Sequence, residues 1–272
     1  MTTTLAEVFA RTAAENGAAL IGYLPAGFPN PAASVELIAA MVAGGVDIVE
    51  VGLPYSDPLM DGAAIQEAVD IALRAGTTTD VVLDVVAQVA TTGAATLVMS
   101  YWNPIERYGV ERFADRFADA GGTGIITPDL TPEEAGAWVA ATDRRSLDRI
   151  FLVAPSSTDE RIGTVCAATS GFVYAASTMG VTGARTTVSS AAPALVARTR
   201  ALTDLPISVG LGVSTGQQAQ DVAQYADGVI VGSAFVRRIL DAPDQAAAVA
   251  AVGELAGELA AGVRRSGNRP PD

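Results

Sequence analysis

Two acidic residues, Glu50 and Asp61, stand where a chain seldom places a carboxylate without a use for it. Glu50 lies in a short apolar run, residues 46–51, that is rich in β-branched side chains and typical of a buried strand. A carboxylate there must form an ion pair, take up a proton or take part in the chemistry of a site. Asp61 follows on the loop before a helix that begins near Ala63. Both therefore sit at the strand end where parallel α/β proteins carry out chemistry.

The composition restricts the chemistry that these carboxylates can join. The chain has no histidine and no lysine, so all 17 basic residues are arginine. Without lysine it forms no Schiff base and attaches no pyridoxal phosphate. With no histidine and a single cysteine, a zinc site is not expected. We therefore expect a site with no metal and no cofactor of its own, built from carboxylates, tyrosines, hydroxyls and backbone dipoles.

Charge and hydropathy argue against several classes of partner and location. The net charge of −13 disfavours nucleic acid and anionic membranes as partners. The sequence predicts no apolar run long enough to span a bilayer, and the first residues lack the features of a secretory signal. The single cysteine, Cys166, cannot form an internal disulfide and suits a reducing compartment. These features together predict a cytoplasmic protein.

Short apolar runs alternate with helical stretches of about a dozen residues, which is the pattern of repeated βα units. The runs predict eight strands, at residues 20–24, 47–51, 96–100, 124–127, 149–153, 171–175, 207–210 and 228–231. We predict one (β/α)₈ barrel over residues 1–263, with an extra N-terminal helix and a short helix after strand eight. Residues 264–272 are expected to fray. A doubly wound open sheet is the alternative fold.

Glycines at three late strand ends predict an anion site. Gly183 lies in the long loop after strand six, Gly212 follows strand seven, and Gly232 with Ser233 follows strand eight. Glycines let backbone N–H groups approach an anion, and a helix starting at Ser233 points its positive end at it. Each glycine alone could simply form a tight turn, but the three together favour a phosphate site. The loop over residues 177–185 is expected to act as a lid.

Five segments, in this order and spacing, resemble the α subunit of tryptophan synthase: VEVGLPYSDPLMDG, YWNP, MGVTG, GLGVS and VGSA. The resemblance extends from about residue 18 to residue 240. It implies a barrel lyase that splits indole-3-glycerol phosphate into indole and glyceraldehyde 3-phosphate in tryptophan biosynthesis. It also implies a β subunit that carries pyridoxal phosphate and joins the indole to serine.

The resemblance assigns roles residue by residue. The catalytic glutamate and aspartate of the family fall on Glu50 and Asp61. Tyr23 takes the place of an aromatic residue of the indole pocket, and Thr182 that of a threonine in the lid. The family's substrate-binding positions fall on Tyr23, Met99, Ile126, Leu152, Tyr174, Thr182, Gly183, Leu211, Gly212, Gly232 and Ser233.

In this reading the two carboxylates have different tasks. An apolar barrel mouth should raise the pKa of Glu50 and suit it to general acid–base work. Asp61 should stay ionised and accept a hydrogen bond from the indole N–H. Glu50 could instead be a structural carboxylate satisfied by Tyr174 or backbone donors, and Asp61 part of an ordinary Asp-Gly turn. A different phosphate-binding barrel enzyme is a further alternative.

The loop at residues 54–59 and the segment at residues 101–104 are expected to face the β subunit in an α₂β₂ assembly. Tyr55, Leu59 and Trp102 would otherwise be exposed apolar groups. Two alternatives stay open at this point. The chain could be a free-standing lyase that releases indole, or a non-catalytic barrel that only activates a β-type partner.

Overall fold

A computed structural model describes residues 3–58, 60–176, 191–210 and 212–264. Helices and strands alternate along this part of the chain. The strands are β1 (Ala19–Pro25), β2 (Ile48–Gly52), β3 (Ala95–Met99), β4 (Gly124–Ile126), β5 (Asp148–Ile150), β6 (Leu152–Val153), β7 (Val173–Ala176), β8 (Ile207–Gly210) and β9 (Gly228–Val231). The helices are α1 (Leu5–Ala14), α2 (Pro31–Ala43), α3 (Ala63–Arg74), α4 (Thr79–Ala90), α5 (Trp102–Tyr108), α6 (Val110–Asp119), α7 (Gly136–Arg144), α8 (Asp159–Ala168), α9 (Ala191–Arg200), α10 (Gly216–Ala223), α11 (Ser233–Leu240) and α12 (Gln245–Arg264).

The strands form one parallel sheet in the order β5-β4-β3-β2-β1-β9-β8-β7-β6. Its two end strands, β5 and β6, are separated in sequence only by Phe151, so they are two pieces of one strand. The N–H of Thr127 donates to the carbonyl of Ile150 at 3.4 Å, and the N–H of Tyr174 donates to the carbonyl of Phe151 at 3.2 Å. This strand therefore pairs on both sides and closes the barrel. The predicted eight-stranded (β/α)₈ barrel is confirmed, with its fifth strand interrupted at one residue.

Three strands are followed by two helices instead of one. The additional helices α3, α5 and α11 come directly after β2, β3 and β9. The sequence predicted a helix beginning near Ala63 and a short helix after the last strand, but it did not predict α5. Each additional helix begins within two residues of a side chain at the barrel mouth, namely Asp61, Tyr101 and Ser233. These helices therefore set the positions of the loops at the C-terminal ends of the strands.

The barrel interior is lined with apolar side chains. Buried residues of six strands meet there with Phe172, which directly precedes β7: Ile21, Ile48, Leu97, Ile126, Ile150 and Ile230. Helix α1 adds Leu5, Val8 and Phe9 to this cluster, and the Phe9 ring lies 5.7 Å from the Phe172 ring. A capping box between Thr4 and Glu7 fixes the start of α1. The predicted N-terminal helix thus packs against the lower end of the barrel interior.

Helix α12 corrects one expectation from the sequence. By length and composition alone its 20 residues could cross a bilayer, contrary to the interpretation above. In the structure it packs on α2, α10 and α11, and its face with Val252, Leu255 and Leu259 belongs to the core around the barrel. A helix that is apolar over most of its surface can be buried in a protein as well as in a membrane. Arg264, predicted as the start of the tail, is the last residue of this helix.

Candidate active site

Glu50 points into the barrel from the middle of β2. Its Cα pairs with that of Tyr23 on β1 and that of Leu97 on β3. The side chain is only 1% exposed, and its Oε1 atom has no hydrogen-bond partner among the described residues. Burial raises the pKa of Glu50 to about 8. The carboxyl group therefore holds a proton at neutral pH.

Asp61 lies two residues before α3, and its side chain is buried at the mouth. Two hydrogen bonds to the backbone of Asp61 hold the loop. The Asp61 N–H donates to the Pro58 carbonyl at 3.1 Å, and the Asp61 carbonyl accepts from the side-chain amide of Gln66 at 2.8 Å. Burial raises the pKa of Asp61 to about 6. Asp61 is thus still mainly ionised at neutral pH, where Glu50 is protonated. One carboxyl group can act as an acid while the other supplies a negative charge.

Tyr101 fastens the loop that carries Asp61. Its hydroxyl accepts a hydrogen bond from the Met60 N–H at 2.9 Å, directly before Asp61 in the chain. Its ring lies 5.5 Å from the ring of Tyr55, whose hydroxyl accepts from the Asn103 amide at 2.9 Å. The sequence assigned Tyr101 to a partner surface, but the side chain is buried and does not lie on that surface. Only its position directly after β3, opposite the Asp61 loop, could have indicated this contact.

Two tyrosines share the upper interior with the carboxylates. A Cβ atom at Gly52 would lie 2.5 Å from the Tyr23 hydroxyl oxygen, and one at Gly210 would lie 2.5 Å from the Tyr174 hydroxyl oxygen. Each hydroxyl therefore occupies space that a glycine on the neighbouring strand leaves open. Burial raises the pKa of both hydroxyls, and the nearby carboxylates of Glu50 and Asp61 raise it further. The sequence did not indicate this fit between tyrosines and glycines.

Four of the substrate-binding positions implied by the resemblance are apolar side chains, and three of them form one wall of the same interior. Met99, Ile126 and Leu152 come from β3, β4 and β6 and join one cluster with Tyr174. Leu211, the fourth expected member, lies outside the described residues. A wall of this kind suits a flat apolar ring and explains why the carboxylates beside it are desolvated.

The expected anion site lies partly within the described chain. Gly212 has a positive φ of 69°, which glycine adopts without strain. Gly232 is the N-cap of α11, which begins directly after the C-terminal end of β9, so the first N–H groups of this helix, from Ser233 onward, lie at the mouth. A Cβ at Gly232 would lie 3.1 Å from Cδ1 of Tyr23. Thr182, Gly183 and the remainder of the predicted lid lie outside the described residues.

The rim of the mouth beside β3 carries the segments expected to face a partner. Tyr55 and Pro58 are half-buried, whereas Pro54 is buried and Leu59 lies outside the described residues. Tyr55 and Pro104 line a groove of about 510 Å³.

Trp102 lies on the same rim and is half-buried. The backbone N–H of Trp102 donates to the Asp129 carboxylate at 2.9 Å, which ties the start of α5 to the loop after β4. Its ring lies 5.7 Å from that of Trp138, which is fully buried. The rim therefore has a rigid aromatic base beneath a partly exposed surface.

Comparison with known proteins gives a consistent result over nearly the whole chain. The family model described as tryptophan synthase alpha chain matches residues 9–264. The tryptophan synthase alpha chain of Thermobifida fusca is 62% identical over 265 residues, which cover 96% of this chain and 98% of the relative. That of Acidothermus cellulolyticus is 59% identical, with 97% and 98% covered. A chain of Mycobacterium tuberculosis tryptophan synthase superposes with a TM-score of 0.91 at 53% identity, covering 97% of this chain and 99% of that one.

Proposed function

The chain belongs to the tryptophan synthase alpha chain family, and we propose that Glu50 and Asp61 are the residues with which it catalyses the family's reaction. This family consists of lyases that cleave indole-3-glycerol phosphate by a retro-aldol step, and the chain is a lyase of this kind. The resemblance found in the sequence is confirmed. The observation that carries the residue assignment is the pair of buried carboxylates with separated pKa values at the mouth.

In the proposed mechanism, Glu50 gives its proton to C3 of the indole ring. The positive charge that results spreads to the ring nitrogen, where ionised Asp61 accepts the N–H and stabilises it. The bond between C3 and the glycerol carbon then breaks, and its electron pair restores the aromatic ring. The hydroxyl on that glycerol carbon loses its proton to Glu50 and becomes the aldehyde. Glu50 thus returns to its protonated form, and the products are indole and glyceraldehyde 3-phosphate.

The substrate's two ends fit the two sides of the mouth. We propose that the indole ring lies against Met99, Ile126, Leu152 and Leu211. The phosphate is proposed to bind the N–H groups at Gly212, Gly232 and Ser233, completed by Gly183, while Thr182 closes over the site. The positive φ of Gly212 and the uncapped start of α11 support this placement. The proposed site needs no metal and no cofactor, because the indole ring itself accepts the electrons.

The rate of indole formation should show a bell-shaped dependence on pH. Activity requires Asp61 ionised and Glu50 protonated, so it should rise with pH through about 6 and fall through about 8. The measurement is kcat/KM for indole formation between pH 5 and pH 10, because this ratio reports groups of the free enzyme. A rate that keeps rising above pH 9 would show that Glu50 is needed in its ionised form.

We further propose that the chain works in the cytoplasm as the α subunit of an α₂β₂ complex. Relatives of this chain form part of the Mycobacterium tuberculosis tryptophan synthase structure, which supports a β partner. Pyridoxal phosphate would be bound by that partner, since this chain has no lysine to hold it. The half-buried Tyr55 and Trp102 on the rim beside β3 are the proposed docking surface.

The same contacts suggest how a docked partner would affect catalysis. Tyr55 lies on the rim and packs on Tyr101, and Tyr101 holds the backbone N–H of Met60 beside Asp61. A partner that fixes Tyr55 therefore restricts the loop on which Asp61 depends. Coupling of about 1–3 kcal/mol corresponds to roughly a 5- to 150-fold change in rate when it all appears in the transition state.

The deciding experiment is an indole-release assay on the purified protein, with and without a tryptophan synthase β chain. We expect slow cleavage by the chain alone and faster cleavage when the β chain is added. Tyr55→Ala should weaken this activation severalfold and leave the rate of the isolated chain nearly unchanged. Leu202→Ala is the matched control, because Leu202 is an exposed apolar side chain outside the proposed surface.

Two other outcomes would change the conclusion. Full activity of the isolated chain, with no response to the β chain, would indicate a free-standing indole-forming lyase. No cleavage with or without the β chain, but activation of the β reaction, would indicate a non-catalytic partner.

A further inference from the structure

The hydroxyl of Tyr23 is an unexplained polar group at the centre of the barrel. Tyr23 is 6% exposed, and its hydroxyl takes part in none of the hydrogen bonds of the described residues. A phenylalanine ring would fill nearly the same space without the hydroxyl. Because the hydroxyl has no partner among the described residues, it is available to donate a hydrogen bond during the reaction.

The position of the ring indicates which group the hydroxyl serves. Tyr23 and Glu50 are paired residues of adjacent parallel strands, so their side chains leave the sheet side by side on the interior face. The ring runs from Gly232, whose Cβ would lie 3.1 Å from Cδ1, to Gly52, whose Cβ would lie 2.5 Å from the hydroxyl oxygen. Gly52 is two residues beyond Glu50 on the same strand. The hydroxyl thus lies beside β2, two residues further toward the mouth than Glu50.

Glu50 has an oxygen atom that could accept a hydrogen bond from this hydroxyl. Its Oε1 atom is buried and unpartnered in the described chain, and none of the ion pairs formed there includes Glu50. The other titratable groups that face it are Asp61 from the loop before α3 and Tyr174 from β7. Asp61 is an anion and cannot assist a second carboxylate. Among the described titratable side chains that face ionised Glu50, the hydroxyls of Tyr23 and Tyr174 can donate a hydrogen bond to it, and Tyr23 is the one on the adjacent strand.

We propose that Tyr23 is a positioning residue whose hydroxyl donates a hydrogen bond to the Glu50 carboxylate after Glu50 has given up its proton. This inference rests on the acid–base role proposed for Glu50. During each turnover Glu50 is briefly ionised, and no arginine among the described residues forms an ion pair with it. The Tyr23 hydroxyl stabilises that form and fixes the carboxylate toward the glycerol hydroxyl whose proton it takes back. When Glu50 is protonated, the hydroxyl returns to the space above Gly52.

The test compares Tyr23→Phe with the wild-type protein in complex with the β chain. A hydrogen bond to the ionised form lowers a carboxyl pKa, so losing it should move the alkaline limb of kcat/KM upward by roughly half to one pH unit. The rate at pH 7.5 should fall roughly three- to tenfold, because Glu50 becomes a weaker acid. A shift of the acidic limb alone would assign the hydroxyl to Asp61 and overturn the proposal. An unshifted profile would overturn it as well.

Tyr225→Phe is the matched control. Tyr225 is a tyrosine whose hydroxyl is buried without a partner in the described residues, and it follows α10 on the outside of the barrel. Its loss should change neither the rate nor the pH profile. A general effect of removing a buried hydroxyl would instead appear in both variants.

A second measurement does not depend on turnover. The infrared carbonyl band of protonated Glu50, identified by its loss in Glu50→Gln, should disappear at a lower pH in the wild type than in Tyr23→Phe. If Tyr23→Phe does not fold, the phenol bands of the wild type should change over the pH range in which the Glu50 band disappears. Phenol bands that stay constant across that range would overturn the proposal. Absence of indole formation by the wild type would contradict the proposed function, and the infrared result would still decide the role of Tyr23.

Discussion

Glu50→Gln should lower the rate of indole formation by at least about a hundredfold while leaving the fold intact. General acid–base catalysis contributes roughly 10²–10⁴-fold to a rate, and the amide has no proton to exchange. The substitution is nearly isosteric, and the replaced carboxyl group is protonated at neutral pH, so packing should not change. Steady-state indole formation measures the effect. Glu254→Gln, on the exposed face of α12, is the control. Retention of a tenth of the wild-type rate would exclude Glu50 as the proton donor.

The same substitution should make the protein more stable at alkaline pH. The folded chain keeps the Glu50 proton up to about pH 8, whereas an unperturbed glutamate loses it near 4.5. The unfolded state therefore binds fewer protons between these values, and wild-type stability falls as pH rises through this window. Glutamine has no such penalty. At pH 9 we expect a gain on the order of 1–3 kcal/mol in the free energy of unfolding, and little difference at pH 4. A gain that did not grow with pH would contradict the burial of an ionisable Glu50.

Asp61→Asn should also lower kcat by roughly a hundredfold or more, since removing one preorganised electrostatic contact costs about 10²–10³-fold. The amide keeps the size of the side chain but removes the negative charge proposed to face the indole nitrogen. The acidic limb of the pH profile, expected near pH 6, should disappear from the residual activity. Comparable loss in Asp70→Asn, which removes an exposed carboxylate paired with Arg74 on α3, would point to a general effect of charge. Retention of the acidic limb in Asp61→Asn would assign that limb to another group.

The strands and the two carboxylates of the proposed site could be predicted because each leaves a local signal. A carboxylate within a β-branched run, as at Glu50, conflicts with its surroundings, and such conflicts mark functional sites. The break at Phe151 leaves no such signal, since a one-residue interruption does not alter the apolar pattern. Helix α12 shows the opposite case: the sequence prediction excluded a helix of membrane-spanning length and composition, whereas α12 has both and is packed against the barrel.

Contacts between distant parts of the chain could not be predicted from the sequence. Tyr101 holds the N–H of Met60, 41 residues away in the chain, and nothing local to either residue indicates this bond. The fit of the Tyr23 hydroxyl above Gly52 depends likewise on the register of two strands. The desolvation that raises the pKa of Asp61 to about 6 arises from the packing of the loop, so the sequence predicted its charge but not this shift.

The arrangement of the two tryptophans gives the protein an optical reporter of its own. The chain has two tryptophans: Trp102 lies on the rim beside β3 and Trp138 lies beneath it, with their rings 5.7 Å apart. Indole fluorescence moves to shorter wavelengths when water around the ring is displaced. Trp138 is already fully buried and contributes a constant background, whereas half-buried Trp102 responds when its surroundings change. Intrinsic emission can therefore follow the covering of this rim in real time, without a dye or an engineered label.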